Sequence, residues 1–315
     1  MLKSLSMLAH YVHDIDPFIF HLTENLGLRW YGFSYLLGFI AAYYLYRCLV
    51  RKGYSDMSEK LVSDYIFTGA LVGVIGGGRL GYMLFYSLER LIENPLSFFY
   101  LWEGGMSAHG GIIGFTLFTW WFCRRHRLSW LNTIDNLAVV APPGIFFGRL
   151  ANFINGELYG RISNVPWAVK FPSELYAMPA SAQHEIVEKL TQQNPAWDSV
   201  HAIVEGVQHS PELRTALAEY LSPRHPSQIY EALGEGVLLF AVLWILRTRF
   251  RLRDGMLAGA FLVGYAIIRS TCEFFREPDS PLVWAFTRGQ FLSLFLFLAG
   301  LVFFAVARRG AVRGT

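Results

Sequence analysis

Seven mostly apolar runs of roughly 20 residues, the length an α-helix needs to cross a bilayer, dominate this sequence. They cover about 30–50, 65–86, 109–123, 133–150, 228–246, 256–275 and 290–307. Such a chain has few options. In hydrocarbon every backbone N–H and C=O must be satisfied inside a helix or a closed barrel, and runs this long fit helices. Charged residues make up 16% of the chain and hydrophobic ones 53%, whereas soluble proteins carry about a quarter charged. The third run is short and begins on glycines, so its boundary is the least defined.

The basic residues orient the bundle. Arg47, Arg51, Lys52 and Lys60 follow the first run, and Arg124, Arg125 and Arg127 follow the third. Arg247, Arg249, Arg251 and Arg253 follow the fifth, and Arg308, Arg309 and Arg313 the seventh. Lys and Arg in short loops mark the cytoplasmic side. Seven spans put all four clusters on that side, which predicts an outer N-terminus and an inner C-terminus. The residues before Trp30 do not read as a cleaved signal peptide, since His10, His13, Asp14 and Asp16 interrupt them. The net charge of +3 is largely explained by topology, and no nucleic-acid patch stands out.

The expected fold is therefore an all-α membrane protein of seven transmembrane helices, a single integral-membrane domain over 1–315. Its one long polar stretch, 161–224, forms a small outer cap between spans four and five, with amphipathic helical patterns at 181–192 and 211–220. Cys48, Cys123 and Cys272 are expected as unpaired core thiols. Cys272 falls near the outer end of its span and the other two near inner ends, too far for the roughly 7 Å that a disulfide spans. The histidines show no metal-ligand spacing, so no metal and no cofactor is expected.

Ionisable residues inside spans are costly and mark function by default. Arg79, His109, Arg149, Glu157, Arg269, Glu273 and Arg276 all fall near outer span ends, and Tyr31 and His225 join the same layer. Arg79 and Arg276 also fit the plainer reading of side chains snorkelling to the interface, Glu157 and Glu273 that of structural ion-pair partners, and His225 that of a satisfied loop histidine. Arg149, Asn152 and Asn155, spaced by three, form a polar stripe on one helix face. Several guanidinium groups facing lipid predict an anionic ligand. Arg grips phosphate with a planar fork, and a phospholipid head group is the phosphate at that depth. Such a site is expected to disfavour a head group that carries its own cation.

The run Gly148-Arg-Leu-Ala-Asn-Phe-Ile-Asn-Gly-Glu-Leu-Tyr-Gly160 resembles, at every specified place, the signature G-R-x-x-N-F-x-N-x-E-x-x-G of the prolipoprotein diacylglyceryl transferase family. Arg29-Trp-Tyr-Gly32, Gly77–Tyr82, Gly105–Gly111, His225-Pro-Ser-Gln-Ile-Tyr-Glu231, and Arg269 with Glu273–Asp279 resemble that family's other motifs, in order along nearly the whole chain. Ala108 replaces a larger residue, and 173–224 is longer than usual, matching only at Gln193–Trp197.

The resemblance implies a bacterial inner-membrane enzyme that moves the sn-1,2-diacylglyceryl group of phosphatidylglycerol onto the lipobox cysteine of a prolipoprotein. A thioether forms and glycerol phosphate leaves. It implies catalytic roles for His109, Arg149, Arg269, Asn152 and Tyr31. His109 would act as general base or thiol-positioning group, Arg149 and Arg269 would hold phosphate, and Asn152 and Tyr31 would donate hydrogen bonds. Arg79, Asn155, Glu157, Gly160, His225, Glu273 and Arg276 would line the substrate site. A polytopic transporter would show an inverted repeat and mid-membrane polar residues. An intramembrane serine protease would show a nucleophile turn. Neither feature appears in the sequence.

Overall fold

The computed structural model of the protein describes residues 10–23, 26–278 and 284–309. Asp279 and Arg313, which figure in the motif and charge reading, lie outside them. The chain is mostly helical, as the apolar runs require. Five helices are long and apolar enough to cross a membrane: Trp30–Arg51, Glu59–Tyr86, Trp130–Ile154, Ser227–Arg249 and Arg288–Arg308. They match expected runs one, two, four, five and seven, each extended by no more than six residues at either end. The sixth run is the apolar helix Met256–Cys272 of 17 residues. The third is Ala108–His126, 19 residues with Arg124 and Arg125 in its last turn. Two helices contain stretches with i→i+5 bonding, Asp64–Gly76 and Ala232–Leu238.

By its contacts the chain forms two compact units. One comprises Met1–Tyr35, Ile145–Leu238 and Tyr265–Phe295. It contains the polar insertion, which folds as helices Ala180–Thr191, Val200–Gly206 and Pro211–Leu217. Ser199 and Ser210 cap the second and third of these by accepting from Ala202 N and Leu213 N, satisfying otherwise orphan donors. The helices close over an apolar cluster that includes Leu175, Ile186, Leu190, Ile203, Leu213 and Leu217. An insertion with its own core is held by hydrophobic burial rather than by its neighbours alone.

The same unit holds β structure that the all-α expectation did not include. Tyr11–Val12 pairs parallel to Val169–Lys170, which pairs antiparallel to Pro223–Arg224. Phe18–Thr23 pairs with Leu26–Arg29. Two-residue strands carry no periodicity of their own. They form because tertiary packing brings three chain segments side by side.

The second unit comprises Leu36–Gly144, Leu239–Gly264 and Leu296–Thr315. Its helices approach closely through glycines. A Cβ on Gly77 would sit 2.7 Å from Gly110 O, and one on Gly81 would sit 2.7 Å from Gly110 Cα. Small residues four apart let backbones meet where lipid supplies no hydrophobic drive between helices. A buried polar knot ties other segments together: Asp135 accepts from Gly255 N and Ala258 N, both at 2.8 Å, and Asn132 donates to Asp254 at 3.1 Å. Among the described residues the three cysteines are unpaired; Cys123 and Cys272 are buried, and Cys48 is only partly so.

Candidate active site

Two glycines place the charged residues of the first unit. A Cβ on Gly236 would come within 2.5 Å of Phe146, and one on Gly234 within 2.6 Å of Ile268. The absence of side chains at 234 and 236 therefore lets the helices carrying Phe146 and Ile268 press against the segment around Glu235. Arg149 follows Phe146 by three residues, and Arg269 follows Ile268 by one, so both guanidinium groups reach the same two carboxylates.

Those carboxylates are Glu231 and Glu235, four apart on one helix face and both fully shielded from solvent. Arg149 Nη1 lies 2.8 Å from Glu231 Oε2, while its Nε and Nη2 each lie 3.0 Å from Glu235 Oε2. Arg269 Nη1 donates to Glu231 Oε1 at 2.6 Å, and its Nη2 pairs with Glu273 one turn along its own helix. Arg276 Nη1 is 3.3 Å from Glu231 Oε1. Three arginines thus meet on Glu231, and the contact network holds three arginines against three glutamates. An isolated buried charge would be prohibitive in such a place; paired and hydrogen-bonded ones are tolerated.

The signature loop sits on this network. Asn152 Nδ2 donates to Glu157 Oε1 at 2.7 Å, and Asn155 Nδ2 lies 3.5 Å from the same oxygen. Gly156 has φ +65°, the left-handed backbone that glycine takes without strain, and Leu158 has φ +58°. The carbonyls of Glu157 and Leu158 accept from Gln228 at 2.6 Å and Ser227 at 3.0 Å, so the motif after His225 pins the loop from below. At Gly160 a Cβ would lie 2.5 Å from both His225 O and Phe275 O, which excludes any side chain there. Arg224 binds the loop end, with Nη1 3.2 Å from Gly160 O, its guanidinium over the Tyr159 ring and an ion pair to Glu174.

His225 faces Tyr230, whose hydroxyl lies 3.1 Å from Nδ1 and also accepts from Trp167 Nε1 at 2.7 Å. An indole N–H only donates, so the Tyr230 oxygen accepts from Trp167 and pairs with His225 Nδ1. Burial pushes the His225 pKa below its ordinary value, which keeps it neutral. Tyr31 packs edge-on against Tyr35 at 5.4 Å and lies close enough to Glu157 and Arg149 to feel both charges. A cavity of about 150 Å³ opens beside Arg269 and Glu273, bounded also by Thr287, Arg288 and Gly289.

Arg79 and His109 belong to the second unit. Arg79 is 1% exposed, and its five N–H groups all point at carbonyls: those of Phe98, Gly104, Gly105, Ser97 and Tyr100. With no donor left over, this guanidinium organises the loop 97–105; it neither snorkels nor presents a free fork to phosphate. His109 is exposed at the start of Ala108–His126, two residues after the cap Ser107.

Three corrections to the sequence reading follow. Glu231 and Glu235, the groups that gather the arginines, were not singled out, although two acids four apart in an apolar span are a legible signal. Arg224 was missed because it reads as an ordinary residue before a loop proline. The expectation that uncompensated arginines would repel an ammonium head group loses its basis, because each arginine of the network already faces a carboxylate. Among the described residues no group of three metal-ligating side chains occurs.

Residues 17–306 match the family model described as prolipoprotein diacylglyceryl transferase. The chain is 40% identical over 306 residues to the phosphatidylglycerol–prolipoprotein diacylglyceryl transferase of Stenotrophomonas maltophilia, covering 96% of this chain and 95% of that one. It is 37% identical over 336 residues to the protein of that name from Bdellovibrio bacteriovorus, covering 95% of each. The protein of that name from Rhodospirillum rubrum is 40% identical over 301 residues, covering 94% of this chain and 93% of its own. With its arginine–glutamate network and its signature loop in place, the chain belongs to the prolipoprotein diacylglyceryl transferase family.

Proposed function

We propose that this chain transfers the sn-1,2-diacylglyceryl group of phosphatidylglycerol to the lipobox cysteine of prolipoproteins, the first step of lipoprotein maturation. Names of relatives that cover nearly the whole chain support the reaction class and both substrates. The observation that carries the assignment to a site is the meeting of Arg149, Arg269 and Arg276 on Glu231 under the signature loop.

In this reading the phosphodiester binds Arg149 and Arg269, with its glycerol head in the cavity beside Arg269. Arg276 and Glu273 hold Arg269 in place. Asn152, Asn155 and Glu157 keep the loop in shape over the lipid, Gly160 seats it on His225, and Tyr31 donates to the lipid from the start of the first span. His225 lines the lipid site beside Tyr230. The family resemblance gives His109 the role of orienting the acceptor thiol, and Arg79 fixes the loop 97–105 of its own unit. The thiolate attacks the glyceryl carbon bearing the phosphate, since the thiolate and not the thiol is the nucleophile. The guanidinium groups then stabilise the charge that grows on the leaving phosphate.

Seven spans, an outer N-terminus and an inner C-terminus are part of the same proposal. Five apolar helices support a multi-pass membrane protein, and the four basic clusters support the orientation. The insertion 161–224 is then a periplasmic cap on a single membrane domain, and the active site faces the periplasmic leaflet of the bacterial inner membrane. Purified protein incubated with phosphatidylglycerol and a lipobox peptide should add one diacylglyceryl mass to the peptide. An unmodified peptide, or one that gains a single acyl mass, would overturn the assignment.

A further inference from the structure

Among the described residues, the charges of the arginine–glutamate network balance before any lipid arrives. Arg149, Arg269 and Arg276 face Glu231, Glu235 and Glu273, three positive groups against three negative ones. The reaction adds one negative charge when the phosphodiester binds and a second when the carbon–oxygen bond breaks. It also releases the proton of the acceptor thiol. Besides Arg288, which bounds the cavity, a buried neutral network offsets the second negative charge only when one of its carboxylates takes up that proton.

The two central glutamates differ in how firmly they are held. Glu231 is met by three arginines: Oε1 by Arg269 and Arg276 at 2.6 and 3.3 Å, and Oε2, which has no hydrogen-bond donor among the described residues, by the Arg149 ion pair at 2.8 Å. Glu235 has contacts to Arg149 on Oε2 alone. Its Oε1 is buried with no hydrogen-bond donor among the described residues, and Arg269 Nε lies 3.9 Å from it. Glu235 also sits in the i→i+5 stretch Ala232–Leu238, a distortion that tends to occur at functional sites.

We propose that Glu235 is a catalytic residue that receives the proton of the acceptor thiol and returns it to the departing phosphate; this rests on the transferase reading above. The phosphodiester competes with Glu235 for the Nε and Nη2 groups of Arg149. Once Arg149 turns to the phosphate, Glu235 is a buried anion that has lost its main cation, and proton capture relieves that cost. The S–H bond breaks, its proton goes to Oε1, and the sulfur electron pair forms the bond to the glyceryl carbon. The carbon–oxygen bond breaks with its electron pair on the phosphate oxygen. Protonated Glu235 then gives its proton to that phosphate, which leaves as the glycerol phosphate monoanion, and Arg149 returns to the carboxylate. Through the step the network carries an extra positive charge while the leaving group carries two negative ones.

The test compares wild type, Glu235→Gln and Glu231→Gln in detergent–phosphatidylglycerol micelles. Two acceptor peptides are used, identical except for cysteine or selenocysteine. A selenol is ionised at neutral pH without help, so it needs no proton acceptor. With the cysteine peptide, Glu235→Gln should lose at least about 100-fold in kcat, the low end of what general acid–base groups contribute. With the selenocysteine peptide it should come within a few-fold of wild type. Glu231→Gln, which scatters three arginines, should stay slow on both peptides. The proposal is overturned if Glu235→Gln turns over cysteine at the wild-type rate, or if it is slowed equally on both peptides. Wild type that fails to modify the cysteine peptide at all would instead sink the transferase reading.

Discussion

Arg149 shows why identity matters more than charge in this site. Its Nε and Nη2 lie on Glu235 and its Nη1 on Glu231, so one planar group joins two carboxylates, and in the proposed reaction it turns that fork to the phosphate. A lysine keeps the charge but offers a single point donor. Arg149→Lys should therefore lose about 10²–10³-fold in kcat, the range seen when a donor to a developing oxyanion is removed. Near-normal turnover measured in the lysine variant would reduce Arg149 to general electrostatics. The arginines, Asn152 and the loop glycines were legible in the sequence because polar side chains and glycines in an apolar run have few innocent explanations. Their partners were less so. Nothing in the spacing of Glu231 and Glu235 says which cations face them; that comes from the bare backbone at Gly234 and Gly236.

Helices were legible from their apolar length, but the contacts that set their spacing were not. Gly236 lets the Ser227–Arg249 helix approach Phe146 to within 2.5 Å of where a Cβ would stand. Gly236→Val should push the helices apart and draw Glu235 away from Arg149. Turnover should fall sharply, and the variant should show a lowered thermal midpoint; unchanged values of both would show that the close approach is dispensable. The N-terminal segment offers a different test. His13 is buried, stacked on Phe171 at 5.5 Å and edge-on to Phe153 at 5.3 Å, and burial lowers its pKa from the ordinary value of 6.5. The unfolded chain then binds a proton that the folded one refuses, so this contribution to stability is present above about pH 6.5 and is lost as pH falls toward the folded value. The thermal midpoint of wild type should drop between pH 8 and pH 5.5 by more than that of His13→Phe. An equal drop in both would assign the acid sensitivity elsewhere. The short strands at 11–12, 169–170 and 223–224 escaped the sequence because two residues cannot display an alternation.

The membrane reading makes its own demand on the whole chain. Four basic clusters share one side only if the spans number seven. A reporter fused after residue 315 should therefore be cytoplasmic and one inserted in 173–224 periplasmic. Both on the same side would break the topology and with it the outward-facing site. In the proposed chemistry, three arginines held by three glutamates expel a phosphate from a glyceryl carbon. The most direct measurement is the stoichiometry of both products with phosphatidylglycerol carrying a labelled head group. The account predicts one glycerol phosphate released for each peptide that gains a diacylglyceryl group. Release of free fatty acid, or modified peptide formed without glycerol phosphate, would contradict it.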